Sequence, residues 1–144
     1  SLLALLDEVA AAHAIDTDRV LVTGLSMGGY GTLDLVATAP DRFAAAAPIC
    51  GGLPKPLILA GALARVPIWL FHGTDDRIVP LSESVRVMEA VRAAGGDVRL
   101  TAYEGAGHDA WRPAYAEAEL WDWLLAQRRG ERAGSRAAGS GPRR

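Results

Sequence analysis

Gly24-Leu25-Ser26-Met27-Gly28 constrains this chain more than any other stretch. It follows the apolar, β-branched run Arg19-Val20-Leu21-Val22-Thr23, which reads as a buried strand, and precedes a helical pattern over 27–39 that stops at Pro40. A strand that turns into a helix at a single residue leaves that residue in a strained backbone conformation. Its neighbours must then be small enough for the chain to approach itself. Gly24, Gly28 and Gly29 supply that room. The turn lifts the Ser26 hydroxyl out of the sheet, where a base and a substrate can both reach it. A Gly-rich turn at a helix N-terminus also suits phosphate, but phosphate loops use a lysine or a different glycine spacing, and neither is present here.

Two later segments repeat the theme of an apolar run followed by a loop rich in chemistry. Val66-Pro67-Ile68-Trp69-Leu70 leads into Phe71-His72-Gly73-Thr74-Asp75-Asp76-Arg77-Ile78-Val79-Pro80. Val98-Arg99-Leu100-Thr101-Ala102-Tyr103 leads into Gly105-Ala106-Gly107-His108-Asp109-Ala110-Trp111. A serine, an acid and a histidine therefore follow one another along the chain, each just past a strand-like run. A serine hydroxyl is almost unreactive at neutral pH unless a base removes its proton as it attacks. Imidazole is the side chain suited to take that proton and return it. The residues themselves leave the acid open between Asp75 and Asp76. His72 reads as a structural support for the acid loop, His13 as a solvated residue of the first helix, and Asp109 as pointing away from its neighbour His108.

The remaining patterning alternates helix and strand. Helices are expected over 2–13 and 27–39, then over 83–94 with Ser82 as cap, Val85, Met88 and Val91 facing inward, and Gly95-Gly96 as terminator. A last helix is expected over about 113–128, with Tyr115, Ala118, Leu120, Trp121 and Leu124 as its apolar stripe. Strands are expected over 19–23, 44–49, 67–72 and 98–103, and residues 51–65 read as an irregular connection holding one short helical turn. Such alternation builds a parallel sheet with helices on both faces, an α/β fold. Ligands of such sheets sit beyond the carboxyl ends of the strands, where Ser26, Asp76 and His108 all fall. Residues 1–129 read as one domain and 130–144, rich in Gly, Ser, Ala and Arg, as a disordered tail.

Composition narrows the partners. With 50% apolar residues, 22% charged residues and a net charge of −2, the chain has no signature of polyanion binding, so nucleic acid is not expected as a partner. No run is long enough for a membrane-spanning helix, so no membrane partner is expected either. Cys50 is the single cysteine, which excludes an internal disulfide. It reads as a buried, inert thiol close to the wall of the site.

Gly-Leu-Ser-Met-Gly-Gly at 24–29, His-Gly-Thr-Asp-Asp-Arg-Ile-Val-Pro at 72–80 and Gly-His-Asp-Ala-Trp at 107–111 resemble the α/β-hydrolase superfamily. The likeness is closest to its small carboxylesterases, dienelactone-hydrolase relatives and feruloyl-esterase-type enzymes, and it runs from about Ile15 to Gln127. The resemblance implies a serine hydrolase that cleaves small carboxylic esters through an acyl-enzyme. Ser26 would be its nucleophile, His108 its base and Asp76 its acid, the last because the pattern His-Gly-x-x-Asp-x-x-Val places the acid there. It implies one oxyanion donor at the Met27 amide, and no metal or organic cofactor. Peptidase, thioesterase and lactone-hydrolase activities on the same machinery remain open, as does an inactive fragment serving in assembly. The family takes its second oxyanion donor from a loop upstream of the nucleophile, and no such strand and loop is legible in residues 1–25. The expectation is therefore the carboxyl-terminal part of a larger hydrolase, with an upstream segment or a second protomer covering the edge of strand 19–23.

Overall fold

Four apolar runs become four parallel strands, ordered β1-β2-β3-β4 across one sheet. They are β1 (Leu21–Leu25), β2 (Ala45–Ile49), β3 (Ile68–Gly73) and β4 (Val98–Tyr103). The computed structural model describes residues 1–130, so the expected tail lies almost wholly outside the described residues. Six helices connect and cover the strands: α1 (Leu2–Ala12), α2 (Met27–Thr38), α3 (Pro56–Leu63), α4 (Leu81–Ala93), α5 (Trp111–Ala116) and α6 (Ala118–Ala126). None of them is long and apolar enough to cross a membrane.

Strand alternation sorts the core into two layers. Ala46, Ile68 and Leu70 face one side, where Leu33 and Val36 of α2, Leu63 of α3 and Val87 and Val91 of α4 bury them. Ala45, Ala47, Ile49, Trp69 and Phe71 face the other, against Ala114 of α5 and Leu120 and Leu124 of α6. Both central strands are fully buried, as expected for a parallel sheet covered on both faces. The α/β class and the helices on both faces agree with the sequence reading.

Several boundaries differ, each for a physical reason. β1 begins and ends two residues later than the pattern suggests, because Asp16 caps a 3-10 turn over Thr17–Arg19. Its far end runs through Gly24, which stays paired opposite Pro48, while Leu25 pairs with Ile49. Residues 56–63 form an eight-residue helix rather than a single turn; Pro56 sits at its first position, where a missing N–H costs nothing. Ser82 does not cap α4. That helix starts at Leu81 after Pro80, and its inward face is Ser84, Val87, Ala90 and Val91, leaving Val85 and Met88 on the flank. Gly95 (φ 81°) terminates it as expected, with Gly95 N–H and Gly96 N–H donating to the Arg92 and Val91 carbonyls.

The expected last helix is broken. Glu117 is extended (φ −77°, ψ 118°), and the Tyr103 hydroxyl donates to its Oε1 at 2.5 Å, pinning the break to the end of β4. Burial and the Glu117 carboxylate both push the Tyr103 phenol well above its ordinary value. Only Leu120 and Leu124 of the expected stripe are buried; Trp121 is exposed and stacks on Tyr115 instead. At the opposite edge of the sheet, Thr23 and Leu25 of β1 are exposed, and α1 buries none of its residues completely.

Candidate active site

The carboxyl ends of β1, β3 and β4 carry the site. β1 passes directly into α2 through Ser26, whose backbone lies at φ 53° and ψ −117°. For a non-glycine residue this costs on the order of 1–3 kcal/mol. The Ser26 N–H donates to the Ile49 carbonyl at 2.9 Å, and its own carbonyl accepts from Tyr30 N–H at 3.1 Å. Gly24 makes the turn possible, since a Cβ there would meet the Gly28 carbonyl oxygen at 2.5 Å. Met27 N–H is the first amide of α2, at the positive end of the helix and with no acceptor one turn earlier in that helix.

β3 delivers the acid loop. Asp76 Oδ1 accepts from the Ile78 and Val79 N–H groups, both at 2.9 Å, and its side chain is fully shielded from solvent. Burial alone would push this carboxyl up. The hydrogen bond to His108, together with the Val79 and Ile78 amides, outweighs burial and holds it below the usual carboxylate value. The carboxylate is therefore ionised across the neutral range, and the ionised form is the one that accepts. Asp75 lies outside this arrangement. It is exposed, and its Oδ1 accepts from the neighbouring Thr74 hydroxyl at 3.1 Å rather than from loop amides.

β4 delivers His108. Its Nδ1 lies 2.8 Å from Asp76 Oδ2, and its Nε2 lies 2.8 Å from Ser26 Oγ. An acceptor-only carboxylate fixes the tautomer: Nδ1 carries the proton and Nε2 is bare toward the serine. The ring is partly exposed, with Trp111 meeting it edge-on at 6.2 Å. Three side chains separated by 50 and 32 residues thus form one continuous hydrogen-bonded line. Such a line can take a proton from a hydroxyl and compensate the imidazolium that results. His13 is an exposed helix end, and Asp109 turns outward toward Arg112.

The loops holding Asp76 and His108 are packed backbone to backbone. A Cβ on Gly73 would meet the Ala106 and Gly107 carbonyl oxygens at 2.2 and 2.4 Å. Gly73→Ala is expected to destabilise the fold by about 3 kcal/mol, because rigid backbone must move to accept the methyl group. A urea denaturation curve checks this, with the midpoint falling by roughly 1–3 M.

Cys50 sits beneath this line. It has φ 40°, is fully buried, and directs its thiol at the His108 carbonyl 3.7 Å away. Burial pushes the thiol up, so it stays protonated and unreactive. Cys50, Asp76 and His108 could offer a metal one donor atom each, all within 4.8 Å of one another. Two of those atoms already share the Asp76–His108 hydrogen bond, and we assign the cluster to that relay. A separate cavity of about 510 Å³ between α3 and α4, lined by Pro56, Leu57, Ile58, Arg86 and Ala90 among others, includes none of the three aligned side chains.

Sequence reasoning read His72 only as a support and overlooked Ser84. The His72 ring is fully buried, with Nδ1 2.8 Å from Ser84 Oγ and Nε2 2.8 Å from the Val79 carbonyl. Hydrophobic periodicity carried no signal for Ser84, since it turns Val85, Met88 and Val91 inward, whereas the structure buries Ser84 with Val87, Ala90 and Val91.

The phospholipase/carboxylesterase family matches residues 1–119, and the chain belongs to that family of α/β-hydrolases. A solved thermostable esterase superposes with a TM-score of 0.85 at 36% identity, over 89% of this chain and 36% of that one. The poly(3-hydroxyalkanoate) depolymerase C of Paucimonas lemoignei is 54% identical over 48 residues, covering 33% of this chain and 12% of its own. The carboxylesterase SOBER1 of Arabidopsis thaliana is 28% identical over 114 residues, covering 76% of this chain and 50% of its own. The chain spans half or less of the length of these relatives.

Proposed function

We propose that residues 1–129 form a hydrolase domain that cleaves small carboxylic esters through an acyl-enzyme on Ser26. The observation that carries this reading is the unbroken line from Ser26 Oγ through His108 to Asp76, with 2.8 Å at each step. Ser26 Oγ attacks the ester carbonyl as His108 Nε2 takes its proton. Asp76 keeps the opposite ring N–H in place and stabilises the imidazolium. Met27 N–H faces the oxygen that becomes negative in the tetrahedral intermediate, where one such donor is worth about 10²–10³ in rate. His108 then returns the proton to the departing alcohol. Water follows the same route in reverse to release the acid.

A fluorophosphonate probe tests the nucleophile directly. It is expected to add one covalent group per chain, and peptide mass spectrometry is expected to find it on Ser26. Folded protein that stays unlabelled, or that carries the adduct elsewhere, would overturn the assignment. p-Nitrophenyl esters run beside peptide anilides and thioesters then separate esterase from peptidase and thioesterase chemistry. Labelling without turnover of any of them would instead favour a fragment that serves in assembly.

A further inference from the structure

We propose that His72 is doubly protonated in the folded protein and is the buried counter-ion of Asp76, a positioning residue that holds this carboxylate between two imidazoles. The proposal rests on the reading of Asp76 as the acid that orients His108.

Proton counting leads to it. His72 Nε2 lies 2.8 Å from the Val79 carbonyl oxygen. A carbonyl only accepts, so Nε2 must carry a proton. Nδ1 lies 2.8 Å from Ser84 Oγ, and Ser84 Oγ in turn donates to the Gly51 carbonyl at 3.0 Å. Ser84 has one proton, and it goes to Gly51. Ser84 Oγ is then the acceptor for the ring, and Nδ1 must carry a proton as well. The alternative turns the Ser84 proton onto Nδ1, which takes this donor away from the buried Gly51 carbonyl, and losing a hydrogen bond at a buried carbonyl is costly.

A ring with two protons is a cation, and a buried cation needs an opposite charge nearby. Asp76 Oδ2 is 3.4 Å from His72 Nε2, with both side chains completely shielded from water. His108 occupies the other side of the same carboxylate. On α4, Glu83 adjoins Ser84 in sequence but pairs with Arg86 at 2.9 Å. Asp76 is thus the charged partner in contact with the ring.

The network also joins two parts of the site. Gly51 packs so tightly on the first turn of α2 that a Cβ there would lie 2.6 Å from the Gly29 carbonyl carbon. Through Gly51, Ser84 and His72, the acid loop is tied to the helix that follows Ser26. Val79 accepts from His72 through its carbonyl and donates to Asp76 through its N–H, so the ring and the carboxylate share one anchor.

Nitrogen–proton NMR of the histidine rings in the full chain at neutral pH tests the charge state, whether or not the protein turns over an ester. Two ring N–H correlations are expected for His72. A single correlation with Nδ1 bare overturns the proposal. Ser84→Ala is expected to remove the Nδ1 correlation while leaving the Nε2 correlation in place; an unchanged pair would mean that Ser84 does not hold that proton. His72→Gln is expected to lower kcat by about 10–100-fold, the usual cost of losing a partner that orients a reactive group, with KM changed less than about twofold. The His108 Nδ1 proton resonance should move with it. Wild-type kcat with that resonance unmoved would rule out the positioning role. If the wild-type protein shows the paired correlations but neither labels nor hydrolyses, the functional reading fails while the charge assignment stands.

Discussion

Ser26→Ala is expected to lower kcat for ester hydrolysis by about 10⁶-fold while leaving the fold intact. Losses of that size follow removal of the serine from a coupled Ser-His-Asp system, since base and acid then have nothing to activate. The backbone should tolerate the change, because the strain at φ 53° is imposed by the β1-to-α2 turn and not by the hydroxyl. The alanine retains the Met27 N–H and the cleft, so KM should change little. Steady-state kinetics on a p-nitrophenyl ester, paired with a urea melt of the same preparation, read both quantities. A variant that kept more than a tenth of the wild-type rate would place the chemistry away from this serine.

Asp76→Asn should cost about 10⁴-fold in kcat. The size comes from proton placement, not from bulk. Oδ1 accepts two backbone N–H groups, at 2.9 Å each, so the amide oxygen of asparagine must take that position. Its NH₂ then faces His108 Nδ1, replacing an acceptor with a donor. To avoid two opposed protons, His108 moves its proton to Nε2, where it points at Ser26 and can no longer receive the serine proton. Activity should recover partly at high pH, where hydroxide substitutes for the base. A kcat/KM profile that rises with pH instead of levelling off checks the mechanism. A variant within tenfold of wild type would mean that another group orients the ring.

Much of this architecture was legible because it is written in local pattern. Buried parallel strands are continuous apolar runs, as at 68–73, whereas the run at 45–49 is a weaker signal because alanine favours helix. The meeting of Ser26, Asp76 and His108 follows from topology: three loops leaving the same ends of parallel strands converge on one rim. Choosing between Asp75 and Asp76 needed the family pattern His-Gly-x-x-Asp-x-x-Val, because two adjacent carboxylates otherwise differ only in which one the loop turns inward. The inward one is the residue whose carboxylate finds the Ile78 and Val79 amides.

What stayed illegible was set by tertiary contact. The inward face of α4 is rotated relative to its hydrophobic pattern because Ser84 is drawn in by His72 and Gly51. Periodicity ranks a serine as solvent-facing and so misplaces the face. The break at Glu117 leaves no mark in the sequence either, since Tyr103, the residue that fastens it, lies 14 positions earlier on another element. A proline in the first turn of α5 read as a helix start, and it was accommodated as the third residue instead.

The outer row of amides and carbonyls on β1 ends one residue before the reactive hydroxyl. A strand laid along that row would therefore also flank the Ser26 hydroxyl. On the proposed function, a change in what docks at that edge should be felt first in which esters are accepted.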